Sequence, residues 1–431
     1  MNDGVGDMDA ALKFLLAAKR AEIQVLEQLA VTCELVSGIA QLVHMLQRER
    51  GASSMYLASR GTRFSEQLTA CRADSVASER SVRDHFDRLE TDAVRGASSV
   101  RLFSGIAQVL HGFGSLPELR GRVRSLALTP DESAFAYSRQ INGLMGVVFE
   151  AADAAPDPDV SRALVAMFNF MQGKELAGQE RALGVAGFAE GVFELDRQQR
   201  LTHLIEGQAR CFDVFSEFAA PEVWMRWHNA VSLEDSAEIE RLRRLAATTR
   251  QLGPEHGEIG GWWFELMTRR IDAMRQIEAL LTAGLSALCA CKVEEAQAAL
   301  SSHQAATAAL SGLAPPDAGA LAAFIDSKAA GSDPDSPAVG SATLGRSVLD
   351  LIQAQSQRIQ SMADELGAVR AALNERKLIE RAKGVLMAHR GLSEEQAHRL
   401  LRQTAMDQGR RLVDVAESVL ALGSLLKASG K

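Results

Sequence analysis

The chain has 431 residues, which is too long for one ordinary hydrophobic core and predicts two or three domains. With only two Tyr and ten Pro, its composition favours an all-α fold with little or no β structure. The formal charge of −8 is uneven, because residues 346–431 carry 14 Lys and Arg against 10 Asp and Glu. This segment is therefore the candidate binder of a nucleic acid.

The cysteines and the N-terminus indicate the compartment. The five cysteines include no CxxC pair, and an odd number is atypical of a disulfide-stabilised secreted protein. The N-terminus carries Asp3, Asp7 and Asp9 where a signal peptide has basic residues, and no apolar run approaches the roughly 18 to 20 residues of a membrane span. We therefore expect a soluble cytoplasmic protein without a membrane partner.

The first 312 residues predict a large antiparallel helical-bundle domain. Apolar side chains recur at steps of three or four residues from about Ala10 to Leu310, as in Leu35, Ile39 and Val43. The Pro and Gly pairs at 116–117, 155–158 and 253–254 predict helix ends.

Three arginines interrupt apolar helix faces in this domain. Arg50 continues the row that ends at Leu46, Arg181 follows Lys174 on a second face, and Arg243 lies one turn after Ile239 on a third. A buried guanidinium needs an anion, which is either a carboxylate from a neighbouring helix or a small oxyanion ligand. Three such arginines could surround one planar anion with fork-like donors.

No pattern of catalytic residues is present. The sequence contains no HExxH, P-loop, Rossmann fingerprint or GxSxG motif, so we expect neither an enzyme nor a cofactor or metal. His256 lies near Glu255 and Glu258 and precedes Trp262 and Trp263, which favours a loop followed by an aromatic-anchored helix.

Two stretches of this domain resemble a known sensor. The runs LQRERGASSMYLASRG, around Arg50, and GKELAGQERALGVAGFAEG, around Arg181, resemble the NIT domain, a helical module that senses nitrate and nitrite. The resemblance spans roughly residues 35–285. It implies that Arg50 and Arg48 of the RERG motif, and Arg181 of the QERA motif, bind nitrate or nitrite, with Arg243 as a further ligand.

Residues 313–345 concentrate Pro, Gly, Ser, Ala and Asp, which predicts a flexible linker. A heptad pattern over residues 346–375 follows and predicts a coiled-coil helix. Its core positions are Ile352, Ile359, Leu366 and Leu373 in one row and Val348, Gln355, Met362 and Val369 in the other. This seam either pairs two chains or packs on the sensor domain of its own chain.

Residues 376–431 predict a three-helix bundle. Its helices end at Gly391, Gly409 and Gly423, and Ser393 caps the start of the second. Nine basic and four acidic side chains lie within residues 376–411, which favours a polyanion.

The first helix of this bundle has an unusual polar face. Its buried stripe leaves Lys383, Met387 and Arg390 on the solvent side. Gly384 lies inside the helix, where it costs about 1 kcal/mol relative to Ala, so we expect a base or ribose to approach the backbone there.

The run ERKLIERAKGVLMAHRGLSEEQAHRLLRQTAMDQGRRLVDVAESVL, which begins at Glu375, resembles the ANTAR RNA-binding domain of antitermination regulators. Many members have Asn where this chain has Gly409, and either residue accepts the left-handed helix-end conformation. The resemblance implies a homodimer that binds two tandem hairpins in nascent leader mRNA, and not DNA, so that a terminator cannot form. The implied RNA-binding residues are Arg376, Lys377, Arg381, Lys383, Gly384, Met387, Arg390, Arg402, Arg410 and Arg411.

A NIT domain followed by an ANTAR domain implies a nitrate-responsive antiterminator. Ligand binding in the sensor would then change helix packing and release the RNA-binding tails. The alternative is a helical signalling adaptor that dimerises through its tail and binds no RNA.

Overall fold

The structure is a computed structural model that describes residues 3–92, 99–230, 233–252, 258–311, 339–392 and 394–428. Within these ranges the secondary structure is helical apart from one isolated bridge between Val192 and Gln251, and the predicted all-α class is confirmed. The helices are α1 (Asp3–Ala58), α2 (Ser65–Asp92), α3 (Ser99–Arg124), α4 (Pro130–Ala154), α5 (Pro158–Glu190), α6 (Leu195–Phe218), α7 (Pro221–His228), α8 (Leu233–Thr248), α9 (Ile259–Ser311), α10 (Val339–Arg390), α11 (Glu394–Gln408) and α12 (Leu412–Ala428).

The three helix ends that were predicted from Pro and Gly have different outcomes in the structure. The break at 155–158 is confirmed, because α4 ends at Ala154 and α5 begins at Pro158. The break at 116–117 was wrong, since Pro117 lies inside α3. The neighbouring side chains of Phe113 and Leu116 are almost fully buried, and this packing offsets the backbone hydrogen bond that Pro117 removes. The pair at 253–254 lies outside the described residues.

The chain divides into two compact units, and helices α1, α9 and α10 contribute one portion to each. The first unit comprises Met1–Cys33, Pro156–Pro158 and Ser286–Gly367. Ile23, Leu26 and Ala296 form a small core in it, with Val293 and Leu300 packed alongside. The thiols of Cys33 and Cys289 are buried and hydrogen-bonded to each other.

The second unit comprises Glu34–Ala155, Asp159–Leu285 and Ala368–Lys431, so it holds both the predicted sensor core and the C-terminal bundle. Aromatic side chains fill part of its interior. Phe170 is fully buried and contacts the rings of Phe212, Phe215 and Trp227 at centroid distances of 4.8 to 5.7 Å. This packing fixes α5 against α6 and α7.

The heptad stretch lies within one long helix. Helix α10 begins at Val339, inside the segment predicted as linker, while residues 312–338 lie outside the described residues. Ile359 is 58% exposed, whereas Val369 and Leu373 are 1% and 2% exposed within a single chain. The C-terminal part of the seam is therefore covered by its own chain, and the side chains of Val348, Ile352 and Gln355 are not among those described.

The C-terminal bundle has its own hydrophobic core. Gly391 and Gly409 take φ values of +63° and +60° at the ends of α10 and α11, as predicted. Gly423 does not end the last helix, because α12 continues to Ala428, and Ser393 lies outside the described residues. The core consists of Ala382, Leu401, Ala405, Val415 and Ala416, with Leu378, Ile379, Leu386, Leu412, Val419 and Leu420 packed against it.

Two helices are more apolar than the sequence reasoning expected. The stretches Lys13–Ala58 and Ile259–Ser302 each contain an 18-residue window that is long and apolar enough to cross a membrane by composition. Half of the first window and 28% of the second are buried inside the protein. The expectation of no such run was therefore wrong, and in the first helix much of the apolar surface serves a protein core.

Candidate anion site and RNA-binding face

Arg50 on α1 lies against α5 and α4. Its Nη1 donates to Ser138 Oγ at 2.7 Å and to Glu175 Oε1, and its Nη2 donates to Glu175 Oε2 at 3.2 Å. A Cβ added at Gly178 would lie 3.1 Å from Arg50 Nη2, so the absence of a side chain there lets the guanidinium approach α5. The predicted inward position of Arg50 is confirmed, with the carboxylate of Glu175 as its direct partner.

Arg181 is the second cation of this site. Its Nη1 donates to Thr268 Oγ1 at 3.0 Å, and its guanidinium lies 5.2 Å from the ring centroid of Phe264. No carboxylate of the described chain forms an ion pair with it. Burial, followed by the nearby charge of Arg50, lowers the pKa of Arg181 to about 10, and Asp272 acts weakly in the opposite direction. Two guanidinium groups thus share one neighbourhood with a single paired carboxylate.

Arg243 on α8 has a complete set of carboxylate partners. Its Nε and Nη2 donate to the two oxygens of Glu180 at 2.7 Å each, and its Nη1 donates to Glu240 at 2.6 Å. Gln208 also donates to Glu180, at 2.7 Å. Burial opposes the charge of Arg243, but the hydrogen bonds and charge of Glu180 outweigh it and raise its pKa. Of the two partners that the sequence pattern left open for Arg243, the structure shows a carboxylate from a neighbouring helix.

Arg48 does not join Arg50 and Arg181. Its side chain is 46% exposed and pairs with Asp74 on α2 at 3.0 Å. The structure places it at the protein surface.

The glutamate of the RERG motif has a role that sequence reasoning missed. Glu49 is fully buried and accepts from Arg120 at 2.8 and 3.0 Å and from Tyr137 at 3.0 Å. The network joins α1 to α3 and α4, and Tyr137 directly precedes Ser138, whose hydroxyl accepts from Arg50. The pKa of Tyr137 is raised by burial and by the charge of Glu49.

Lys174 belongs to a separate buried ion pair. Its Nζ and the carboxylate of Glu278 are both fully buried and bonded to each other. Arg275 also donates to Glu278 at 2.8 Å. Burial lowers the pKa of Lys174 although Glu278 opposes that effect. This pair accounts for the cation that precedes Arg181 on the same helix face.

Two predicted RNA ligands contact the sensor part of the second unit. Lys377 pairs with Asp153 at the end of α4, and its Nζ lies 5.6 Å from the ring centroid of Phe149. Arg402 pairs with Glu206 on α6. Both cations are therefore paired with carboxylates of the sensor part.

An imidazole pair lies beside the second of these contacts. The rings of His203 on α6 and His398 on α11 meet edge to face at a centroid distance of 5.0 Å. Burial, followed by the charge of Arg210, lowers the pKa of His398 to about 4. The ring of His398 is 8% exposed and is therefore neutral at physiological pH.

The solvent face predicted for α10 is only partly observed. Arg381, Gly384, Met387 and Arg390 are exposed, and a Cβ at Gly384 would meet nothing within 4 Å. The prediction for Lys383 was wrong, because its residue is 7% exposed and its Nζ bonds to Glu380 at 2.8 Å. The intrahelical partner lets the ammonium lie along the helix while its alkyl stem is covered.

The basic pair after Gly409 is exposed at the surface. Arg410 donates to Ser418 at 3.2 Å, and Arg411 donates to Asp414 at 3.1 Å. The side chain of Arg376 is not among those described.

Comparisons with known proteins find similarity in both the N-terminal sensor region and the C-terminal bundle. The family model NIT, described as nitrate and nitrite sensing, matches residues 41–286, and that of the ANTAR domain matches residues 367–420. A nitrate regulatory protein of Klebsiella oxytoca is 36% identical over 433 residues, which cover 100% of both chains. The solved structure of the NasR transcription antiterminator is 34% identical with a TM-score of 0.58, covering 96% of this chain and 99% of that one. The transcriptional regulatory protein PdtaR of Mycobacterium tuberculosis is 33% identical over 72 residues, 17% of this chain and 35% of its own.

Proposed function

This chain belongs to the NIT family of nitrate and nitrite sensors and is a nitrate-responsive antitermination regulator, and we propose that an anion bound between Arg50 and Arg181 controls RNA binding by residues 376–431. It is a regulator and not an enzyme, in keeping with the sensor and ANTAR families. The observation that carries the proposed site is the proximity of two guanidinium groups that have only one paired carboxylate between them.

Nitrate and nitrite fit the donors of this site. Both are small planar monoanions whose oxygens accept hydrogen bonds, and guanidinium groups donate in the same planar geometry. Arg181 has an uncompensated charge, and Thr268 and Ser138 add hydroxyls beside the two cations. Arg243 is held by two carboxylates and Arg48 lies at the surface with Asp74, so the proposal takes Arg181, which forms no ion pair within the described chain, and its neighbour Arg50 as the primary ligands.

The contacts of Lys377 and Arg402 represent the ligand-free state of the regulator in this proposal. Asp153 and Glu206 occupy cations that would otherwise bind RNA phosphates. Ligand binding to the sensor then shifts the population towards a state in which these cations are released.

Helix α4 offers a direct connection between the two sites. Its residue Ser138 accepts from Arg50, and its residue Asp153 binds Lys377. The two positions are fifteen residues apart on one uninterrupted helix, or roughly 22 Å at the rise of an α-helix. An anion that draws Arg50 away from Ser138 would therefore alter the helix that holds the RNA-binding domain.

The RNA target and the oligomer follow from the ANTAR resemblance. We propose a cytoplasmic homodimer in which the two tails bind two tandem hairpins of a leader mRNA and prevent terminator formation. Ile359, near the middle of the seam, is exposed within one chain and available for pairing. Sedimentation of the full chain with and without a two-hairpin RNA measures both stoichiometries.

The deciding experiment measures the affinity of the full chain for a two-hairpin leader RNA at fixed salt, with and without millimolar sodium nitrate. Tighter binding with nitrate supports sensor, effector and coupling together. Equal binding in both conditions keeps the RNA-binding function and refutes nitrate as its switch. Absence of binding in both conditions favours the adaptor that dimerises through its tail.

A further inference from the structure

Glu175 is the carboxylate at the centre of the proposed anion site. It is fully buried and accepts from four side-chain N–H groups. Two come from Arg50, the third from Gln47 Nε2 at 2.8 Å and the fourth from Gln179 Nε2 at 2.8 Å. All three partner residues act as donors, and an ionised carboxylate accepts the four hydrogen bonds without a proton of its own. Glu175 is thus a fixed negative charge supplied by the protein.

Among the side chains that are hydrogen-bonded to one another at this site, one positive charge is left uncompensated. Arg50 and Arg181 supply two cations, and Glu175 neutralises one of them. Ser138 and Thr268 are neutral, and Asp272 is exposed to solvent and forms no ion pair with Arg181 within the described chain. A singly charged anion would therefore complete the electrostatic balance of this buried group, whereas a doubly charged anion would leave an excess negative charge beside Glu175.

We propose that Glu175 makes this a site for singly charged oxyanions and excludes doubly charged ones such as sulfate. The inference rests on the proposed nitrate site at Arg50 and Arg181. Two negative charges a few ångströms apart repel strongly away from water, because the low effective dielectric constant weakens screening. Glu175 thus acts as a selectivity residue, because its charge lowers the affinity for nitrate but lowers the affinity for divalent anions further.

The proposal predicts a change of selectivity when Glu175 loses its charge. Glu175→Gln keeps the shape of the side chain, leaves the site with two positive charges and should raise nitrate affinity by about tenfold or more. The same variant should acquire measurable sulfate binding. Glu175→Asp keeps the charge and should retain the discrimination of the wild type.

Isothermal titration of the full chain with sodium nitrate and with sodium sulfate, at constant ionic strength, tests these expectations. Glu278→Gln is the matched control, because it also neutralises a fully buried, paired carboxylate but its cations are Lys174 and Arg275. Lys174 also interacts electrostatically with Glu175, so the nitrate-to-sulfate preference of this control should shift far less than that of Glu175→Gln. Circular dichroism melts of each variant establish that it is folded.

Three results separate the inference from the function on which it rests. An unchanged nitrate-to-sulfate ratio in folded Glu175→Gln overturns the role of Glu175. Equal affinity of the wild type for the two salts also overturns it, and this measurement needs no variant. Failure of the wild type to bind nitrate at all refutes the proposed nitrate site itself.

Discussion

Replacing Asp153 by Asn should release the RNA-binding domain partly without nitrate. The change removes the negative charge that holds Lys377, whose side chain is 16% exposed beside a carboxylate that is 20% exposed. A hydrogen bond to a charged group contributes about 1.5 to 3 kcal/mol when it is this well shielded, against about 0.2 to 1 kcal/mol for an exposed ion pair. The Asn amide and the ring of Phe149 still contact Lys377, so we expect a net loss of about 1.5 kcal/mol.

A loss of this size changes the ratio of held to released protein by about tenfold. RNA affinity without nitrate should therefore rise about tenfold, up to the affinity that saturating nitrate produces and no further. The pair of Arg402 with Glu206 is 47% and 32% exposed, so Glu206→Gln should raise the affinity only about two- to threefold. The expected order, with a larger gain in RNA affinity for Asp153→Asn than for Glu206→Gln, is as informative as the size of each gain.

Fluorescence anisotropy with a labelled two-hairpin RNA, at fixed salt and with or without nitrate, measures these affinities. Removing any carboxylate also makes the protein less repulsive to RNA, so the control is Asp235→Asn. That residue pairs with Arg269 on the sensor and makes the same change in net charge. If Asp153→Asn and Asp235→Asn bind nitrate-free RNA equally well, the contact of Lys377 with Asp153 does not restrain the RNA-binding domain.

Further substitutions test the anion site, the RNA face and the imidazole pair. Arg181→Ala should abolish the nitrate response with little loss of stability. Arg50→Ala should also abolish it and should lower the free energy of unfolding by about 3 to 5 kcal/mol, because it leaves Glu175 buried without its cation. Nitrate titration and urea unfolding of the two variants measure these effects. Arg390→Glu should weaken RNA binding and reduce the salt dependence of log K, and an unchanged salt slope would remove Arg390 from the RNA face. The pKa of His398 is about 4 in the folded protein against 6.5 in an unfolded chain, so the unfolded chain binds a proton at a higher pH than the folded one. The free energy of unfolding should therefore fall as the pH drops from 6.5 to 4, by up to about 1.4 kcal/mol per pH unit. His398→Asn should flatten this dependence relative to the wild type, and identical pH profiles would contradict the assignment.

The inward positions of Arg50, Arg181 and Arg243 were predictable from helix periodicity, but their partners were not. A row of side chains at three- and four-residue steps identifies which face is buried, and the helix that covers that face depends on the tertiary fold. Glu175 follows Lys174 directly, and the sequence reasoning attended only to the cation. An acidic residue on a predicted buried face, beside glycines that let two helices approach, is the sequence signal that would have identified Glu175.

Errors on the C-terminal side have local causes. Lys383 was expected in solvent from its position opposite the apolar stripe, yet Glu380 one turn earlier bonds its ammonium and its stem is covered. Gly423 was predicted to end the last helix because glycine commonly follows a helix C-terminus, but α12 continues past it, since a glycine inside a helix costs only about 1 kcal/mol. Gly391 and Gly409 were predicted correctly because their positions demand a positive φ.

The continuity of α10 determines what kind of signal can reach the RNA. Within the second unit α10 is continuous from Ala368 to Arg390 and contains no proline. A rotation of Leu373 about the helix axis should therefore turn Arg381 and Arg390 through a similar angle. In the proposed dimer, the helical phase between Val369 and Leu373 and these two arginines would set the direction in which the RNA-binding residues face. Seven extra residues between Leu373 and Arg381 would turn the RNA-binding face by only about 20°, whereas five would turn it by about 140°.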